Sequence, residues 1–187
     1  MPNWCSNTLV LHHEDVNMIE RAVQSFQKEE FCNEFVPIPE NEKENWYEWC
    51  ISNWGTKWDI GSSQYGIERG NANECKFSFD SAWSPPIQFY EKLEELGFTV
   101  KAMYYEPGMA YCGIYEDGFD DYYEYGDLDS DGVANTIPQE LDEYFCISEQ
   151  LADQEDEQEY DDEEDQENLD IDLDDGLSAT NEGHENE

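Results

Sequence analysis

With 187 residues, 48 Asp and Glu against 8 Lys and Arg, and a net charge of −40, the chain has room for one ordinary domain and an extension. A charge of that size is repelled by nucleic-acid phosphates and anionic membrane surfaces, which argues against direct nucleic-acid or membrane binding. Basic protein surfaces or cations are the partners it attracts.

In chain order, Ser6–His13 is rich in apolar and β-branched residues and reads as a strand. Glu14 or Asp15 then caps a helix whose apolar positions are Val16, Ile19, Ala22, Val23 and Phe26. The prolines of Phe35–Pro39 make that stretch an extended connector. Trp46, Trp49 and Asn53 have the spacing of one helix face, Gly55 ends that helix, and Thr56–Asp59 is a turn or short strand. Cys75–Asp80 alternates with period two and is a strand. Ser84-Pro85-Pro86 starts a helix with Ile87, Tyr90, Leu93 and Leu96 as its buried stripe and Gly97 as its stop. Thr99–Tyr105 is a strand, and Glu106-Pro107-Gly108 turns it into a hairpin with Met109–Tyr115. A polar segment rich in Asp and Tyr follows, then a short helix near Pro138–Ile147. This order predicts an α+β ferredoxin-like sandwich, an antiparallel sheet with two helices on one face, over residues 1–147. Residues 148–187 change composition to an acidic tail that buries too little apolar surface to fold, and are expected to be disordered.

No apolar run approaches the ~18 residues of a bilayer span. The N-terminus lacks the basic and apolar regions of a signal peptide, so a bacterial cytoplasmic location is expected. The six cysteines, Cys5, Cys32, Cys50, Cys75, Cys112 and Cys146, are scattered without a C-x-x-C pair and read as reduced, mostly buried thiols. A zinc site at Cys5, His12 and His13 lacks the usual paired spacing.

Four segments are distinctive: Met1-Pro-Asn-Trp-Cys-Ser-Asn7, Asn53-Trp-Gly-Thr-Lys-Trp-Asp59, Ala82-Trp-Ser-Pro-Pro86, and Tyr105-Glu-Pro-Gly108 with Gly113 after it. In that order they resemble the YubB-like ferredoxin-fold family of bacteriophages and plasmids. The resemblance spans roughly residues 1–147 and implies a mobile-element protein with a ferredoxin-like core. It implies no reaction, because that family is one of unknown function.

The tryptophans Trp46, Trp49, Trp54 and Trp58 are expected to fill the core, since a stacking platform for bases would come with a basic groove. Lys57 is expected to pair with Asp59 or a nearby carboxylate. Asp127-Leu-Asp129-Ser-Asp131-Gly132 matches the first half of a calcium loop, but its twelfth position is Pro138 instead of a bidentate glutamate. Asp127, Asp129 and Asp131 therefore read as a solvated acidic turn, with calcium binding as the alternative and no other cofactor expected. No nucleophile–base pair or phosphate loop stands out, so the protein reads as a non-enzyme.

Of the 48 acids, 30 lie from residue 116 onward, where there is no Lys or Arg. One DNA strand carries a charge per ~3.4 Å. A helix with an acid at every second residue carries one per ~3 Å. The predicted function is therefore an acidic DNA mimic that binds and inhibits a basic host protein, one that handles nucleic acid in defence or regulation. Its contact residues would be Asp117, Asp120, Asp121, Glu124, Asp127, Asp129 and Asp131, with Asp156, Glu157, Glu159, Asp161, Asp162, Glu163, Glu164 and Asp165 of the tail. The tyrosines among them, at 122, 123 and 125, add flat surface for arginine stacking. The plainer alternative is that these acids only keep the chain soluble.

Overall fold

A computed structural model describes residues 3–158. The chain divides into two compact units, Met1–Asp127 and Leu128–Glu187, whereas the composition change lies at 147/148.

The first unit is a six-stranded antiparallel sheet in the order β2-β3-β1-β4-β5-β6. Its strands are β1 (Trp4–His12), β2 (Ile67–Asn71), β3 (Glu74–Ala82), β4 (Thr99–Glu106), β5 (Tyr111–Glu116) and β6 (Phe119–Glu124). Helices α1 (Val16–Gln27), α2 (Phe31–Phe35) and α3 (Trp46–Asn53) lie between β1 and β2 in the chain, and α4 (Ile87–Glu95) between β3 and β4. Of the two candidate caps for α1, it is Asp15 whose side chain accepts from the Asn17 N–H. Ile19, Ala22, Val23 and Phe26 are buried as their spacing requires, and Val16 is exposed. On α4, Tyr90 and Leu93 are buried but Leu96 is not, and Phe89 completes the stripe. Ser84 does not cap α4; its hydroxyl donates to the Gly55 carbonyl at 2.7 Å.

Period-two alternation sends Cys5, Asn7, Leu9 and Leu11 of β1 to one side of the sheet. Leu9 and Leu11 join Phe77, Phe79, Val100 and Ala102 from β3 and β4 in one core with Phe26 of α1 and Phe89 of α4. Three elements depart from the expected order. The five-residue α2 owes its N-terminus to a distant side chain: Asp59 accepts from the N–H groups of Cys32 (2.6 Å) and Asn33 (3.0 Å). β2 is an exposed edge strand without an apolar alternation to announce it. β6 occupies the segment expected to be irregular. Asp117 and Gly118, both at positive φ (52° and 77°), make the tight turn that returns the chain as an antiparallel strand.

In the second unit, α5 (Ser130–Thr136), α6 (Gln139–Phe145) and a helical stretch at 147–158 follow one another. The helix at 147–158 corrects the expectation of disorder from 148 as far as residue 158; the rest of the expected tail lies outside the described residues. Local hydrogen bonds stabilise its start, since Asp142 accepts from the Ser148 N–H at 2.7 Å and from the Ser148 hydroxyl at 2.6 Å. Among the described residues no helix is long and apolar enough to cross a membrane.

Candidate functional site

The β5–β6 hairpin holds the first of the predicted contact acids, and they do not share a face. Asp117 sits in the turn, and Asp121, opposite Ile114, faces away from Asp120 and Glu124 by strand alternation. Asp120 is already engaged: the Tyr104 hydroxyl donates to it at 2.6 Å. Burial pushes its carboxyl above the usual value, and the Tyr104 hydrogen bond works the other way. Glu124 accepts from the Tyr122 hydroxyl at 3.2 Å. Asp127 follows the strand. Asp129 caps α5 by accepting from the Gly132 N–H at 2.7 Å, and Asp131 lies in that helix's first turn. The half calcium loop thus folds as a helix start. Among the described residues no group of three His, Cys, Asp or Glu is arranged to hold a metal ion. Asp156 and Glu157 lie on the helical stretch at 147–158, whereas Glu159, Asp161, Asp162, Glu163, Glu164 and Asp165 lie outside the described residues. Cys5 and His12 stand at opposite ends of β1, roughly 23 Å apart at ~3.3 Å per residue, too far to share a zinc ion.

What the spacing did not disclose is that the four distinctive segments meet at one end of the sheet. The Asn7 amide donates to the Cys5 carbonyl (2.7 Å) and to the Ser81 hydroxyl (2.8 Å), and Ser81 donates to the Ser84 carbonyl (2.7 Å). Thr56 accepts from the Ala82 N–H at 3.2 Å, and the Trp83 N–H donates to the Asn3 carbonyl at 3.0 Å. The Tyr111 hydroxyl donates to the Trp83 carbonyl. These bonds hold Trp83 at φ 67°, a conformation that costs a bulky residue about 1–3 kcal/mol. Glu106, 1% exposed, closes the Pro107–Ala110 turn by accepting from the N–H groups of Gly108 (3.0 Å) and Met109 (2.6 Å). Gly113 is required because a Cβ there would overlap Tyr104 Oη and Cζ.

This buried network carries an aromatic surface. Trp54 is in the core as expected, 3% exposed, with its indole N–H donating to the Val36 carbonyl at 2.9 Å. Trp46 and Trp58 are not: they are 40% and 39% exposed, and Trp4 (48%) and Trp83 (39%) join them. Trp4 and Trp58 lie 5.9 Å apart between ring centroids. Lys57 makes no ion pair with Asp59. Its ammonium sits over the rings of Trp58 (4.6 Å), Trp83 (5.1 Å) and Tyr47 (5.7 Å), because Asp59 is turned inward to α2 and to the Ile60 N–H. Beside these rings is a hollow of about 600 Å³ lined by Trp4, Ser6, Trp58, Tyr65, Asp80 and Tyr105, among others. Asp59 also reaches its wall, its carboxyl pushed above the usual value chiefly by burial.

No family model matches the chain, and no curated protein is similar to it. Among solved structures, api92 from Yersinia pseudotuberculosis, a DUF1281 protein, aligns with 67% of this chain and 99% of its own at 11% identity and a TM-score of 0.43. That likeness is too slight to bear on fold or function.

The thiols at this end of the sheet, Cys5 and Cys112, are buried. Burial pushes Cys5 up to about 12 and Cys50 up to about 11, and raises Cys32 and Cys75 as well. Five of the six cysteines are buried and Cys146 is exposed. The arrangement is suited to holding a ligand against flat rings and carboxylate oxygens.

Proposed function

We propose that the protein works by binding: a ferredoxin-like unit, of the kind carried by phages and plasmids, whose acids engage the basic surface of a nucleic-acid-binding host protein in the bacterial cytoplasm. The carboxylates take the positions of phosphates, and the host protein, a defence nuclease or regulator, is inhibited. The strand order β2-β3-β1-β4, with α1 before β2 and α4 before β4, supports the ferredoxin-like reading, with β5 and β6 as an extension.

The observation that carries the binding reading is how the cations are used up. Six of the eight make ion pairs within the chain: Arg21–Glu34, Lys43–Glu40, Arg69–Glu20, Lys76–Glu68, Lys92–Glu95 and Lys101–Glu116. A seventh, Lys57, is held by rings. Asp117, Asp121 and Glu124 have no cationic partner among the described residues, and no Lys or Arg follows Lys101 to compensate the acids beyond them. Along the helical stretch at 147–158 acids alternate at Asp153, Glu155 and Glu157, about one per 3 Å of axis, and Glu155 accepts from the Ser130 N–H (2.9 Å) and hydroxyl (2.7 Å).

The test is recovery of partners from bacterial lysate at low and high salt, followed by competition of the recovered protein against duplex DNA. Nucleic-acid-binding proteins released by salt and by DNA are expected. Recovery of no basic protein at either salt overturns the proposal.

A further inference from the structure

We propose that the hollow at the β1 end of the sheet receives the guanidinium of an arginine side chain presented on a short peptide segment. This site is separate from the acids of β6 and the second unit and does not rest on the role given to them.

The walls are two kinds of group that attract a planar cation. The rings of Trp4, Trp58, Tyr65 and Tyr105 line the hollow, and aromatic rings of this kind favour guanidinium stacking. Asp80 presents a carboxylate, with one oxygen (Oδ1) accepting from the Ser6 hydroxyl at 2.9 Å. No cationic ion-pair partner of Asp80 is found among the described residues. The rest of the polar lining is committed to the fold. Asp59 accepts from three N–H groups, Ser62 Oγ from those of Gln64 and Tyr65, and Ser81 donates to the Ser84 carbonyl. No Lys, Arg, His, Asn or Gln side chain lines the hollow. The exposed charge left without a cationic partner in the lining is the Asp80 carboxylate, which calls for a ligand with a positive charge and N–H donors of its own, and arginine brings both in one plane.

Three further observations narrow the choice. The surface already holds a cation on its rings, since the Lys57 ammonium lies over Trp58, Trp83 and Tyr47. Lys57 itself does not line the hollow, so it does not fill the place proposed for the arginine. The volume of about 600 Å³ exceeds one side chain and leaves room for flanking backbone. A sugar would also stack on these rings, but it brings no positive charge to the Asp80 carboxylate, which has no cationic partner among the described residues. The walls are also pre-set. β1, β3 and β4 supply Ser6, Asp80 and Tyr105 in register, and the buried network beneath fixes their strands. Little conformational freedom is then left to lose on binding.

The experiment is calorimetric titration of the full chain with blocked Gly-Arg-Gly peptide at about 0.3 M salt, where the Debye length is below ~8 Å and bulk attraction is screened. The same peptide with citrulline in place of arginine, and methyl glucoside, serve as neutral probes. Saturable one-to-one binding of the arginine peptide is expected, about tenfold or more weaker for citrulline. Trp58→Ala and Asp80→Asn should each cost about tenfold, with the thermal midpoint of Asp80→Asn unchanged because that residue is exposed. A variant neutralised at the acids of 156–165 should bind the peptide as before. Equal binding of citrulline, indifference to both substitutions, or saturable binding of the glucoside alone overturns the proposal. Loss of binding only in the 156–165 variant does so too, and would instead support the acids as the cation receptor.

Discussion

The β1 end of the sheet and the acidic region from β6 onward use the same residue types for opposite ends. Glu106 is buried and closes a turn through two N–H groups, so the fold depends on it. Asp121 is exposed on β6 with no cationic partner among the described residues, and the fold would be indifferent to its loss. The difference teaches that a carboxylate's role follows from what its oxygens touch. An acid among 48 says nothing until its surroundings are known.

That contrast can be broken by substitution. The largest effect is expected from Gly113→Ala, which drives a methyl into the Tyr104 ring and disturbs its bond to Asp120. A loss of about 3 kcal/mol in urea unfolding is expected. Glu106→Ala leaves two turn N–H groups without their acceptor and should cost about 2 kcal/mol, with Glu106→Gln recovering part of it. Thr8→Val should act in reverse. The Thr8 hydroxyl is buried without a hydrogen-bond partner among the described residues, so its removal should raise stability by about 1 kcal/mol.

A pH series sharpens the comparison further. Burial raises the carboxyls of Asp59 and Asp120 above 3.8, so both hold protons more tightly folded than unfolded. Their charged forms oppose folding above those raised values, and the penalty fades as pH falls toward 3.8. Self-repulsion among the uncompensated acids eases in the same direction. The lowered carboxyls of Asp15 and Glu20 act the other way, but only as pH drops below 3.8 and 4.5 respectively. The thermal midpoint should therefore rise as pH falls from neutrality toward 4.5, and Asp59→Asn with Asp120→Asn should flatten that slope. The smallest effect belongs to the β6 surface. Asp121→Asn with Glu124→Gln should change stability by no more than about 0.5 kcal/mol; a loss several times larger would mean that these acids also build the fold.

The regular elements with an apolar period were legible: β1, α1, β3, α4 and the β4–β5 hairpin follow from spacing alone. α2 was not, because its N-terminus depends on Asp59, and a non-local cap leaves no local signal. β6 was hidden by its acids, although Asp117-Gly118 is a strong turn pair and Phe119, Tyr122 and Tyr123 favour strands. The tryptophan spacing gave the helix at Trp46–Asn53 but not which rings are buried: Trp54 is in the core, Trp49 packs against it, and Trp46 and Trp58 are exposed. Nothing in the sequence placed Asn7, Ser81, Ser84 and Thr56 in one network, because strand register is set across 75 or so residues of intervening chain.

The most direct test of the account is to replace Asp156, Glu157, Glu159, Asp161, Asp162, Glu163, Glu164 and Asp165 by Asn and Gln in the full chain and measure partner capture and thermal midpoint together. The account predicts that the midpoint stays within about 2 °C while capture of the basic partner at low salt is lost. Undiminished capture by the neutralised protein would contradict it.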